Sequence, residues 1–88
     1  MTYDLDLLTA AHDAASNHEA AVSRSDVCAC FYCLKTFPPT AIAEWVEEPK
    51  GGRTAVCPFC GIDSVLGSAS GFSLTQQFLE AMCEHWFN

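Results

Sequence analysis

The sequences Cys30-Phe31-Tyr32-Cys33 and Cys57-Pro58-Phe59-Cys60-Gly61, separated by 23 residues, decide the fold expected of this chain. Each is a C-x-x-C pair, in which one short turn can direct two sulfurs towards the same ion, and two such pairs have the spacing of a four-cysteine zinc site. A single pair is compatible with redox or metal chemistry, whereas the second pair with its Cys-Pro-x-Cys-Gly ending favours metal. We therefore predict one structural Zn²⁺, bound by Cys30, Cys33, Cys57 and Cys60.

The first pair has an alternative register, because Cys28 precedes it in a C-x-C-x-x-C cluster and could replace one ligand. In an alternating strand Cys28 points to the same side as Cys30 but lies about 7 Å before the turn. We therefore assign Cys28 a packing role. Cys83 is distant from other thiols in sequence and is interpreted as a buried apolar side chain.

The length of 88 residues predicts a single domain over residues 1–88, with a core that is marginal without further stabilisation. A structural metal is a common remedy, because its binding free energy becomes folding free energy. The rival interpretation is a secreted domain in which six cysteines form three disulfides. The acidic residues of Met1–Asp6 do not resemble an export signal, and no apolar run approaches the length of a membrane span. We therefore expect a cytoplasmic protein with reduced thiols.

The charge of the chain is strongly negative, at −7, and four thiolates holding one Zn²⁺ would make it more so. Phosphate backbones would be repelled, so nucleic-acid binding, the use of many zinc ribbons, is disfavoured. Such binding would have to use Lys35, Lys50 and Arg53 with exposed aromatic residues such as Tyr32 or Phe59.

Helices are predicted at both ends of the chain. An N-terminal segment over residues 1–25 contains a helix from Thr2, its cap, to about Ser23, and a C-terminal helix occupies residues 72–88, with Ser73 and Gln76 at capping-box spacing. Residues 26–67 form the ribbon, with strands at 27–32, 54–56 and 62–66. A short helix over residues 41–46 joins the two cysteine pairs, with Trp45 in the core. The predicted fold is α+β, a zinc-ribbon-like β core with flanking helices.

The histidines are not expected to be ligands or catalysts. His12 lies beside the apolar stripe of the first helix and is predicted to be partly packed, whereas His18 is predicted to be solvated. An enzyme would need Cys28 or Cys83 as a reactive thiol near a histidine such as His85. Four basic residues in the whole chain give little means of lowering a thiol pKa.

From Cys28 to Phe87, roughly two thirds of its length, the chain resembles a group of small bacterial cytoplasmic proteins. The resemblance is carried by Cys30-Phe31-Tyr32-Cys33, by Ile42 with Glu44-Trp45-Val46, by the run from Thr54 to Gly67, and by Trp86-Phe87. It implies a zinc-ribbon-like fold with the four paired cysteines in the metal positions, and it implies no activity. Asp63-Ser64 is the part of this pattern that packing explains least, and we interpret it as a turn cap or a contact site.

These observations predict a non-enzymatic, zinc-stabilised protein-binding module with an acidic surface and a protein partner. A closed four-thiolate site stabilises structure, whereas catalytic zinc keeps an open position for water. The alternative is an inhibitor from a mobile element that imitates nucleic acid through its carboxylates. A thiol-dependent enzyme and a nucleic-acid-binding zinc ribbon rank below these. Association of two copies through the apolar helix faces is also open.

Overall fold

The computed structural model describes residues 3–49 and 51–87, and within them the chain forms three α-helices and five short β-strands. The helices are α1 (Leu5–Asp13), α2 (Glu19–Arg24) and α3 (Gln76–Phe87). The strands are β1 (Cys28–Cys30), β2 (Thr36–Phe37), β3 (Trp45–Glu47), β4 (Arg53–Ala55) and β5 (Val65–Gly67). One antiparallel sheet has the order β2-β1-β5, and β3 and β4 form a separate antiparallel hairpin. The predicted α+β class is confirmed.

Strand β1 divides the interior into two hydrophobic clusters, because alternate side chains of a strand point to opposite faces of its sheet. Ala29 belongs to the cluster beneath α1 and α3, which also contains Phe31 of the following turn. Cys28 and Cys30 belong to the other cluster, which includes Val65 of β5. The first cysteine pair therefore lies on the side of the sheet away from α1 and α3.

The apolar faces of α1 and α3 pack within the chain itself. Their buried residues join the first cluster; they are Leu8, Ala11, Phe78, Leu79 and Met82. The faces considered for association of two copies thus pack against each other and against Ala29 and Leu66 of the sheet, and a homodimer stays a prediction. None of the helices in the described ranges is both long enough and apolar enough to cross a membrane.

The continuous N-terminal helix predicted up to Ser23 is wrong, because the structure has two helices with a break between them. Asn17 adopts a left-handed conformation with φ 50°. Its N–H donates to Thr54 Oγ1 at 2.8 Å, and the N–H of His18 donates to the Arg53 carbonyl at 3.0 Å. The hairpin thus captures backbone donors that a continuous helix would bond internally. The predicted cap, Thr2, lies outside the described residues, and the Asp4 side chain caps α1 instead.

The helix predicted over residues 41–46 is also wrong. The chain forms a 3-10 turn at Pro39–Ala41 and then enters β3, where Trp45 pairs with Ala55. Trp45 is half-buried rather than a full member of the core. The spacing of its apolar residues suits a helix face, but Gly51 and Gly52, with φ of 98° and 85°, allow the chain to fold back as a hairpin.

The remaining elements differ from their predicted bounds by a few residues. Helix α3 begins at Gln76, and its first turn is capped by Thr75, whose Oγ1 accepts the Phe78 N–H at 3.2 Å. The predicted capping box at Ser73 and Gln76 is therefore wrong. The strand predicted at 62–66 begins only at Val65 and ends at Gly67.

Candidate metal centre

The first cysteine pair forms a tight turn between β1 and β2. The Cys30 carbonyl accepts the Leu34 N–H at 2.9 Å, and the Cys30 N–H donates to the Lys35 carbonyl at 3.0 Å. The Tyr32 N–H points at the Cys30 sulfur, with a nitrogen–sulfur distance of 3.3 Å. These bonds hold the turn in a shape that presents both sulfurs on one side.

The second pair, which follows β4, repeats this arrangement residue for residue. The Cys57 carbonyl accepts the Gly61 N–H at 3.0 Å, the Cys57 N–H donates to the Ile62 carbonyl at 2.9 Å, and the Phe59 N–H lies 3.4 Å from the Cys57 sulfur. The fifth position of each turn is left-handed, with φ of 78° at Gly61 and 67° at Leu34. Gly61 adopts this conformation without a steric penalty because it has no Cβ, whereas the same conformation is sterically unfavourable for Leu34.

The two turns bring four sulfurs together, all within 4.8 Å of one another, at Cys30, Cys33, Cys57 and Cys60. The sulfur–sulfur distances across the two turns are 3.6 Å from Cys30 to Cys60 and 3.7 Å from Cys33 to Cys57. Zn–S bonds of about 2.3 Å in a tetrahedron place sulfurs roughly 3.8 Å apart, whereas a disulfide would need about 2.05 Å. The cluster therefore has the dimensions of a site that could hold one metal ion, and it is compatible with a single zinc.

The four sulfurs differ in their surroundings. Cys30 and Cys57 are buried, whereas Cys33 and Cys60 are half-buried at the surface side of the cluster. Burial raises the pKa of the Cys60 thiol to about 12 and also raises the pKa of Cys33. At Cys57 burial also raises the pKa, but hydrogen bonds to its sulfur lower the pKa by more, so the net shift is downward. The strongest of these bonds come from the backbone of Cys60 and Phe59. A bound divalent cation would favour the thiolate form of all four.

Ser64 contacts the four-sulfur cluster, and the sequence does not reveal this contact. Its hydroxyl lies 3.0 Å from the Cys30 sulfur, and the side chain is 2% exposed. Its carbonyl accepts the Phe31 N–H at 3.0 Å, which holds the residue beside the first turn. Ser64 was expected to cap its own turn or to form a contact surface, but its hydroxyl bonds a sulfur of the other turn. Its neighbour Asp63 is exposed.

The two other cysteines lie outside the four-sulfur cluster. Cys28 is fully buried in β1, opposite Phe37 and Gly67, and burial raises its pKa to about 11. Cys83 was predicted to be a buried apolar side chain, but on α3 it is only half-buried, and its sulfur lies 3.6 Å from the Tyr32 carbonyl oxygen. The predicted packing role of Cys28 agrees with this environment, and its raised pKa disfavours the thiolate form that a nucleophile requires.

His18 was predicted to be solvated, and that prediction is wrong, because the side chain is 7% exposed. Its Nε2 accepts the Ala55 N–H at 3.0 Å, so the proton lies on Nδ1, which donates to the Ala14 carbonyl at 2.9 Å. Burial lowers the pKa of the imidazole, against the opposing effect of the bond to Ala14. His18 therefore joins the turn before α2 to β4 as a neutral side chain.

The other two histidines contact aromatic residues. The His12 ring is centred 4.1 Å from the Trp86 ring, at an interplanar angle of 32°, and the His85 ring meets Trp86 edge-on at 4.6 Å. His12 is exposed overall but packs on one face, in partial agreement with the prediction. Both contacts are accounted for by packing.

Two of the three cations considered for nucleic-acid binding are engaged within the chain. Arg53 pairs with Glu19 and lies over the Trp45 ring. The Lys35 Nζ lies 5.6 Å from the centre of the Phe59 ring. Lys50, the third, lies outside the described residues.

Comparisons with known proteins add no relative: no family model, no curated protein and no solved structure matches the chain. The resemblance to small bacterial cytoplasmic proteins therefore stays a prediction, and inferences about function rest on the residues described above.

Proposed function

We propose that this chain is a non-enzymatic protein-binding module of the bacterial cytoplasm, stabilised by one structural Zn²⁺ at Cys30, Cys33, Cys57 and Cys60. The observation that carries the proposal is the convergence of four sulfurs from two equivalent turns, at separations suited to tetrahedral zinc. Four thiolates complete the coordination of zinc and leave no position for a substrate or an activated water.

Such an ion would stabilise the fold by linking the secondary-structure elements that flank the two turns. Cys30 ends β1 and Cys33 leads to β2, whereas Cys57 and Cys60 lie between β4 and β5. The three-stranded sheet and the β3–β4 hairpin are not hydrogen-bonded to each other as one sheet, and the thiolates would connect them through the metal ion. Zinc binding on the order of 10 kcal/mol is comparable with the whole stability of a small domain, so the ion would govern folding.

A protein partner is supported by the surface around the turns. Tyr32 and Phe59, each within a cysteine turn, are 47% and 58% exposed, and Phe87 nearby is 43% exposed. Aromatic side chains are enriched in protein interfaces. The net charge of −7 and the internal engagement of Lys35 and Arg53 favour a protein over a nucleic acid.

The test is to purify the chain under reducing conditions, measure its metal content, and capture partners from a native bacterial extract. We expect one zinc per chain and one protein recovered in stoichiometric amount, whose binding persists when both proteins are purified. Excess duplex DNA should leave the complex intact, whereas displacement by DNA would favour the nucleic-acid-mimicking inhibitor. Metal-free folded protein, or failure to recover a partner from several extracts, would overturn the proposal.

A further inference from the structure

A groove beside the first cysteine turn combines apolar walls with a rim of carboxylates. It has a volume of about 550 Å³, and it is lined by Tyr32, Leu34, Glu80, Cys83, Glu84 and Phe87. The first two belong to the cysteine turn between β1 and β2, and the others to α3. We refer to it as the aromatic–acidic groove.

The apolar side of the groove is built from two aromatic residues that are each nearly half exposed to solvent. The Tyr32 and Phe87 rings meet edge-to-face, with centres 4.8 Å apart, while 47% and 43% of these residues are exposed. Half-buried Leu34 continues this surface towards the core. Among residues 3–49 and 51–87, no segment has to be displaced for a partner to reach this preformed aromatic pair.

The acidic side is formed by Glu80 and Glu84, which lie one helical turn apart on α3, where like charges repel each other. Glu80 accepts the Gln76 amide at 3.0 Å, a neutral donor. Within residues 3–49 and 51–87 the ion pair found is that of Arg53 with Glu19, so neither rim carboxylate is paired with a cation among those residues. A positive group supplied by another molecule would relieve this repulsion.

We propose that the aromatic–acidic groove binds an arginine of a basic segment in the protein partner. The aliphatic stem and planar guanidinium of arginine suit the Tyr32–Phe87 pair, and its forked N–H donors suit the carboxylates of Glu80 and Glu84. Lysine would supply the charge but neither the stacking nor the forked geometry. This inference rests on the proposed protein-binding function and assigns its contact site.

The test is a titration of the metal-loaded, ¹⁵N-labelled chain with the peptide acetyl-Ala-Leu-Arg-Leu-Arg-Ala-amide at low salt, followed by amide NMR shifts. Saturable shifts should centre on Tyr32, Cys83 and Phe87. The same peptide with citrulline in place of arginine keeps the shape and loses the charge, and it should produce no saturable shift. This comparison needs no protein variant.

A matched pair of variants separates the groove from the overall charge of the chain. Glu80→Gln with Glu84→Gln should weaken peptide binding about five- to tenfold, the scale of two exposed charge pairs. Glu44→Gln with Glu47→Gln removes the same charge near β3, where both residues are exposed, and should leave binding within about twofold.

Equal weakening by both double variants, saturable shifts centred elsewhere, equal binding of the citrulline peptide, or no saturable binding would each overturn the arginine site. Such a failure leaves the proposed function intact if a captured partner still binds the chain. Failure to capture a partner, with the groove still binding the peptide, would instead count against the proposed function alone.

Discussion

Replacing the six cysteines one at a time with serine separates the metal centre from the packed interior. Serine at Cys30, Cys33, Cys57 or Cys60 would remove one of the four sulfurs of the cluster and break the tetrahedral set proposed for zinc. Because a structural zinc would contribute on the order of 10 kcal/mol of folding free energy, loss of the ion should abolish most of the cooperative unfolding transition. The expected result for each of these four variants is protein without zinc and without a sharp thermal transition.

Cys28→Ser provides the matched control, because Cys28 is the nearest cysteine in sequence and is also buried. It places a hydroxyl in an apolar cluster, and we expect a cost of about 1–2 kcal/mol with one zinc retained. Cys83→Ser, on half-buried Cys83, should cost no more than this and should also retain zinc.

The assay is metal analysis of the six purified variants by mass spectrometry, combined with thermal unfolding followed by circular dichroism. If Cys28→Ser lost its zinc while Cys30→Ser kept it, the ligand register assigned to the first turn would be refuted. Retention of zinc by all six variants would refute the four-sulfur site itself.

Three further predictions concern the surroundings of the site. The free energy of unfolding of the wild type should fall as pH drops from about 6.5 towards the lowered pKa of His18, because in that range the unfolded state binds the proton and the folded state does not. In urea unfolding, the free energy of unfolding of His18→Gln should depend less steeply on pH. An equal dependence in the two proteins would contradict the neutral imidazole. Ser64→Ala should weaken zinc binding about tenfold, because it removes the hydrogen bond to the Cys30 sulfur; competition with a chromogenic chelator measures the affinity. Ser68→Ala removes a hydroxyl that bonds the Asp26 N–H and should leave zinc binding unchanged. Gly61→Ala should cost about 1–2 kcal/mol in denaturant unfolding and Gly61→Asn less, because φ is 78°. Apart from Gly61 and its two chain neighbours, no described residue has an atom within 4 Å of an added Cβ, so the cost comes from the backbone; an alanine variant as stable as the wild type would exclude this backbone penalty.

The sequence by itself determined the features that depend on neighbouring residues. Two residues between cysteines are enough to form each turn, and the turn's own backbone bonds orient its sulfurs, so the four-sulfur cluster could be predicted from spacing. The strand at Cys28–Cys30 and the C-terminal helix were predicted for the same reason, because β-propensity and helical periodicity are expressed locally. The packing role of Cys28 follows from the period of two along that strand.

Tertiary structure alone decided the features that depend on distant partners. The break before α2 exists because Thr54 and Arg53 bond the backbone of Asn17 and His18, across more than 30 positions of sequence. The burial of His18 depends on that same contact, since Ala55 supplies the donor for its Nε2. No periodicity within residues 1–25 encodes these partners, so a continuous helix with a solvated histidine was the local solution.

Strand β3 and the Ser64 contact have the same origin. The apolar residues around Trp45 have the spacing of a helix face, and pairing with β4 selected the strand instead. In the sequence Ser64 is only a polar residue that follows a turn. Its hydroxyl lies beside Cys30, 34 positions away, because the two cysteine turns meet in the folded chain. Convergence of the turns can be predicted from their cysteines, but the other side chains that each turn meets are selected only when the sheet and the hairpin pack together.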